Sequence, residues 1–136
     1  MPGDFFETNV LVYIASGRTT KADRAERLAR DGGIISVQVL NEIANVARRK
    51  MRLSWIETRA FLSLIRGLLP IEPITLETHE TGLALAERYG LSVYDAMIAA
   101  SALLADCDRL WSEDMQHGMV ISGRLRVVDP FRETAA

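Results

Sequence analysis

Apolar residues fall along the chain in two alternating patterns: short unbroken runs, and longer stretches in which they recur every three or four positions. The first pattern predicts buried strand and the second amphipathic helix. Strands are predicted at Asp4-Phe5-Phe6, ending on Glu7, then at "GIIS", "PIEPI", "RLW" and "RVV". The helices between them are clearly punctuated. "TKADRAERLARDGG" opens with Thr20 and Asp23 in capping-box spacing and stops at Gly32-Gly33. Ser36 is placed to cap "VQVLNEIANVARRK". Ser54 and Glu57, again three apart, open "SWIETRAFLSLIRGLL", which stops before Pro70. A helix from about Thr75 to Gly90 and another capped by Ser92, "SVYDAMIAASALLADC", complete the set. Thr8 or Asn9 is placed to cap a turn after the first strand.

Strands alternating with helices give an α/β domain with a mainly parallel sheet and helices on both faces. Such a sheet is covered on both sides, which suits the unbroken pairs Phe5-Phe6 and Ile34-Ile35. Its functional crevice lies beyond the carboxyl ends of the strands. Glu7 stands at the end of the first strand, and Ser112, Glu113 and Asp114 follow directly after "RLW". Two acidic segments are thus predicted to reach one rim.

With 136 residues and no repeat, low-complexity tract or Pro/Gly-rich linker, the chain is expected to form one domain over residues 1–136. Half the residues are apolar and a quarter charged, the mix of a soluble globular protein. Met1-Pro2-Gly3-Asp4 lacks the basic start and apolar stretch of a secretory signal. The longest apolar run, Ala96 to Ala105, is broken by Ser101 and has about half the length needed to cross a bilayer. No membrane association is expected. Cys107 is the single cysteine, which excludes an internal disulfide and fits a reducing cytoplasm. It reads as a small buried residue rather than a reactive thiol. A net charge of -2 neither favours nor excludes nucleic acid, because a local basic face can sit inside a balanced total.

Four acids are candidates for chemistry, and each has a purely structural alternative. Glu7 could serve only to complement the next helix dipole, but burying it ionised is expensive and no base adjoins it in sequence. Glu42 falls at the edge of the arc formed by Val39, Leu40, Ile43, Val46 and Ala47, where it is either a solvated flank or a group aimed into the crevice. Asp95 completes the capping-box pattern Ser92-Val93-Tyr94-Asp95, a role compatible with pointing at the strand ends. Asp114 and Glu113 lie in a turn-like stretch where acids are common. His117 and His79 lack a second histidine at ligand spacing and read as loop and surface residues. Together, four acids converging on one rim without a base repel one another and raise their pKa values. A hard divalent cation resolves that conflict, and all-oxygen ligation favours Mg²⁺ or Mn²⁺ over zinc. Mg²⁺ held by few carboxylates keeps room for water and phosphate, which suits phosphodiester hydrolysis.

"FFETNVLVY", "SVQVLNEIANVARRK", "YGLSVYDAMIAASALLADCDRLWSEDMQHG" and the closing "VVDPF" occur in that order over essentially the whole chain. In this they resemble the PIN-domain nucleases, and specifically the VapC-type toxins of bacterial toxin–antitoxin pairs. The resemblance implies a three-layer α/β/α sandwich in which acids at the strand ends bind Mg²⁺ or Mn²⁺ for RNA cleavage. Matched motif by motif, those acids fall on Glu7, Glu42, Asp95 and Asp114. Glu7, Asp95 and Asp114 are the implied metal ligands, with Glu42 ligating directly or through water. The polar pair Thr8 and Asn9, and the hydroxyl residue Ser112, would orient carboxylates and waters from outside them. Glu113 matches a common but less central acid. The resemblance also implies a homodimer and a VapB-type antitoxin whose tail lies across the acidic groove.

One departure stands out. The family usually has aspartate where this chain has Glu7. An extra methylene moves the carboxylate by roughly 1 Å, a displacement able to cost about a hundredfold in rate. The chain is therefore expected to be either a working endoribonuclease or a weakened PIN-fold protein that mainly binds its antitoxin. Arg48, Arg49, Lys50 and Arg52 form the densest basic cluster, suited either to RNA phosphates or to the end of a helix dipole. Trp55, Phe61, Leu62, Leu64, Ile65, Leu68 and Leu69 give one helix more apolar positions than a single core face needs, as for a subunit contact or a well-buried helix. Phosphoryl transfer through an aspartyl intermediate fares poorly: the first strand ends in Asp4-Phe5-Phe6-Glu7 with no Asp-x-Asp and no lysine follows a later strand, and no P-loop or dinucleotide motif occurs.

Overall fold

The computed structural model describes residues 3–17 and 19–132; Met1 and Pro2 of the chain start, Arg18 and the last four positions lie outside them. The elements run β1 (Asp4–Phe6), α1 (Thr8–Ala15), α2 (Thr20–Arg30), β2 (Ile35–Ser36), α3 (Val37–Arg49) and α4 (Trp55–Leu68). They continue with β3 (Ile71–Glu72), α5 (Leu76–Tyr89), α6 (Val93–Leu104), β4 (Arg109–Trp111), β5 (Val120–Ile121) and β6 (Leu125–Val128). β1, β4 and β6 lie side by side and parallel, and β5 closes the edge antiparallel to β6. β2 and β3 form a second parallel pair, joined to the free side of β1 by a bridge between Phe5 and Ile34. Together with the helices this is the α/β/α architecture expected from the alternating pattern.

The unbroken apolar runs are buried on both faces, as a covered parallel sheet requires. Phe5, Phe6, Ile35 and Leu110 have no exposed surface, and neither do Val10 and Leu11 of α1. α1 packs against α2 and α3, α3 against α4, and α5 lies along α6. Gly82 allows the α5–α6 contact: a Cβ there would lie 2.5 Å from the Met97 sulfur. Ser36, Ser54 and Ser92 cap their helices as the spacing predicts, and Thr75 caps α5; complete capping boxes form at Ser54/Glu57 and Thr75/Thr78. Gly90 ends α5 in the left-handed conformation that favours glycine. No described helix is long and apolar enough to cross a membrane.

Four local expectations are corrected. Thr19, not Thr20, caps α2: it is extended, and its hydroxyl accepts from the Ala22 N–H at 3.0 Å. Neither Thr8 nor Asn9 caps α1, because the N-cap position is Glu7 itself and its side chain makes no capping bond. At Ser92 only the forward half of the box forms, the hydroxyl accepting from the Asp95 N–H at 3.2 Å. β5 was not anticipated. It pairs with β6 through a tight turn at Ser122-Gly123, both at positive φ, and it falls to two residues too short for any periodicity to show.

Candidate active site

The sheet register brings the first two acidic segments together. Phe6 pairs with Trp111, so Glu7 and Ser112 both leave the sheet at its carboxyl rim. The ladder then runs one residue further, the Glu7 N–H donating to the Trp111 carbonyl and the Ser112 N–H to the Val128 carbonyl, each at 3.0 Å. Both side chains are thereby fixed by backbone. Ser112 is fully buried, and its hydroxyl donates to Glu7 Oε1 at 2.6 Å while accepting from the Met115 N–H. The other oxygen of Glu7 accepts from Asn9 Nδ2 at 2.8 Å, and Asn9 Oδ1 accepts from the Glu113 N–H. Asn9 thus ties the start of α1 to the loop after β4.

Glu42 reaches the same rim from α3. Its Oε1 accepts from the Thr8 hydroxyl at 2.6 Å and its Oε2 from Gln38 Nε2 at 3.1 Å. Gln38 also donates to the Tyr94 carbonyl at 2.9 Å, which joins α3 to the first turn of α6, where Asp95 sits. A cavity of about 680 Å³ opens here, with Glu7, Thr8, Asn9, Glu42 and Asp114 in its walls. Of the residues expected from sequence, Thr8, Asn9 and Ser112 each hold a carboxylate or its loop in place.

Electrostatics tie in the fourth acid. Burial pushes the Glu7 carboxyl up to about 7, opposed by the Ser112 hydroxyl and reinforced by Asp95, Asp114 and Glu42. Asp95 is raised too, first by burial and then by Glu42 and Asp114, with the Ser92 hydroxyl working against the shift. Among the described residues no lysine, arginine or histidine forms an ion pair with any of the four. Four uncompensated carboxylates, two of them oriented by hydroxyl and amide donors, match the all-oxygen donor set of a hard divalent cation. As they stand, the described side chains do not draw three such ligands together around one point.

Other candidates lie elsewhere. Glu113 points its carboxylate at Tyr13 and Lys21 instead, accepting from the Tyr13 hydroxyl at 2.7 Å and pairing with the Lys21 ammonium. His117 accepts from the Asp129 N–H as a loop residue, and His79 is exposed. Cys107 is buried and its thiol is pushed up to about 11 by that burial, which keeps it protonated and inert. Of the basic cluster only Lys50 lines the cavity, whereas Arg48 lies 4.2 Å over the Trp55 ring and donates to the Leu53 carbonyl. Gln38, Asn41, Asn45 and Tyr94 line the cavity without having been singled out from sequence. The spacing of Gln38 and Glu42, one helical turn apart, was the available signal for the first.

A family model for the PIN domain matches residues 5–118. The chain belongs to the PIN-domain family. No curated protein sequence matches it. Among solved structures, a toxin–antitoxin complex from Klebsiella pneumoniae superposes with a TM-score of 0.70 at 26% identity, covering 94% of this chain and 98% of that one. Mycobacterium tuberculosis VapC20, a sarcin-ricin-loop-cleaving toxin, gives 0.67 at 19% identity over 82% of this chain and 89% of its own. DNA-bound VapBC from Salmonella typhimurium gives 0.67 at 18% identity over 96% and 99%. The fold of this PIN protein is that of VapC-type toxins.

Ser112→Ala isolates one support of the PIN-domain rim. It removes the hydroxyl donor that holds the Glu7 pKa down, so that carboxyl is expected to titrate further above its present position. A carboxyl-carbon NMR titration of labelled glutamate reads this directly.

Proposed function

We propose that this protein is a divalent-metal-dependent endoribonuclease, the toxin of a type II toxin–antitoxin pair. One observation carries the reading: Glu7 is buried at the sheet's carboxyl rim with three other acids acting on it and, among the described residues, no cationic partner. Unpaired buried charge is costly, so such an arrangement calls for a ligand of opposite charge. Glu7, Asp95 and Asp114 are the proposed holders of Mg²⁺ or Mn²⁺, with Glu42 beside them directly or through water. Bound there, the cation would polarise the scissile phosphate and make a water molecule acidic enough to attack it. The chain's own part is orientation. Ser112 and Asn9 fix the two oxygens of Glu7, and Thr8 and Gln38 fix those of Glu42. Lys50 supplies a positive charge in the cavity wall for a neighbouring phosphate.

The toxin–antitoxin and VapBC complexes that share the fold support an antitoxin as partner. α4 leaves Trp55, Ile56 and Leu64 exposed while burying Phe61 and Ile65, so it has apolar surface for an antitoxin or a second copy of the chain. A cytoplasmic RNA is the proposed substrate. Cleavage of a labelled RNA is expected to rise with Mg²⁺ or Mn²⁺ and to vanish in Asp95→Asn. Antitoxin binding without any cleavage would contradict the nuclease and leave a binding protein.

A second reading, a weakened nuclease, is favoured by one observation: among the described residues three ligands are not drawn together around one point. Glu7→Asp is accordingly expected to raise the metal-dependent cleavage rate by about tenfold or more. Equal turnover by the two forms would show that the site is built around the longer acid.

A further inference from the structure

The cavity beside the acids is also walled by groups that hydrolysis leaves unused. Asn41 and Asn45 stand one turn apart on the same face of α3 and are exposed. Among the described residues their side-chain amides have no hydrogen-bond partner. Tyr94 adds an aromatic ring that is 70% exposed, next in sequence to Asp95, and Val46 and Ile74 add apolar surface. Tyr94 is not loose: the bond from Gln38 to its carbonyl fixes the first turn of α6 against α3.

We propose that Tyr94, Asn41 and Asn45 form a nucleotide subsite, which takes one unpaired RNA base beside the scissile bond; it rests on the nuclease reading above. Three features point to this ligand. An exposed ring offers a stacking surface, and unpaired bases are the part of RNA that stacks on protein aromatics. Each free amide presents a donor and an acceptor together, the combination found along a base edge. The volume, about 680 Å³, lies within the range of small-molecule sites and accommodates a nucleotide. A base is neutral, so it can lie beside acids that would repel a bare phosphate. Asn41 and Asn45 would then decide which base is accepted, and Tyr94 how tightly.

The test is fluorescence anisotropy with a short labelled single-stranded RNA, using the full chain carrying Asp114→Asn to slow cutting. Adding Tyr94→Ala is expected to weaken binding about tenfold or more, with Tyr94→Phe restoring it. A ladder of the same RNA with one abasic position moved along it should show one position that matters with Tyr94 present and not in Tyr94→Ala. Asn41→Ala with Asn45→Ala, in the otherwise unchanged chain, should shift the base found beside the cut. Equal binding with and without the Tyr94 ring, and a flat ladder, would overturn the subsite and leave the nuclease standing. Unchanged RNA binding with loss of a protein partner in Tyr94→Ala would give the cavity to that partner and overturn it as well. Failure of every form to bind RNA would overturn the nuclease reading and the subsite together.

Discussion

Glu7→Gln is expected to stabilise the cation-free protein at pH 8 while abolishing the proposed metal-dependent cleavage. Glu7 is buried and its carboxyl is raised from 4.5 to about 7. Between those values the folded chain holds a proton that the unfolded chain has lost, so stability falls as pH rises through this window and is flat above it. A shift of that size is worth about 3 kcal/mol. Glutamine removes the charge but places an NH₂ against Asn9, which already donates to Glu7 Oε2, and this mismatch returns about 1 kcal/mol. The net gain of about 2 kcal/mol corresponds to roughly 5–10 °C in Tm for a chain of this size. Melts in EDTA at pH 5 and pH 8 measure it: the variant should gain at pH 8 and little at pH 5. An identical pH slope in both proteins would show that Glu7 carries no such strain. Stability gained as activity is lost is the trade-off expected of a residue kept for its chemistry.

Asp114→Asn should behave in the opposite way. Asp114 is exposed, lines the cavity and, among the described residues, has no side-chain hydrogen bond or ion pair. Replacing it with its isosteric amide therefore leaves the fold within about 0.5 kcal/mol of the parent. Cleavage is expected to fall by about 10²–10³-fold, the scale on which a lost charge-stabilising group is felt in a transition state. Initial rates at saturating Mn²⁺, with a melt on the same sample, separate the two effects. A full-rate variant would remove Asp114 from the site, and a large loss of stability would make it structural. Glu7 is buried and held by Ser112 and Asn9, whereas Asp114 is exposed and unheld: one strains the fold and the other does not.

The two halves of the site differ in how far they could be read ahead of the structure. Glu7 and Ser112–Asp114 were placed on one rim because parallel strands deliver their next residues to the same edge, and the Phe6–Trp111 register does this. Glu42 was ambiguous on helical geometry alone. What resolves its position is the bond from Thr8, thirty-four residues away, which no local pattern encodes. Thr8 and Asn9 were expected both to cap and to orient, and only the second occurs, since Glu7 already occupies the N-cap position. No local pattern joins Gln38 to Tyr94, because their pairing depends on how α3 lies against α6. The strand pattern foretold the parallel core but not β5, which depends on a two-residue turn more than on its own two residues.

Crystals soaked in Mn²⁺ test the central claim most directly. Anomalous density between Glu7, Asp95 and Asp114, absent from an Asp95→Asn crystal treated identically, is the result expected. A rim that stays empty at millimolar Mn²⁺, or density unchanged by Asp95→Asn, would contradict a metal-dependent nuclease site there.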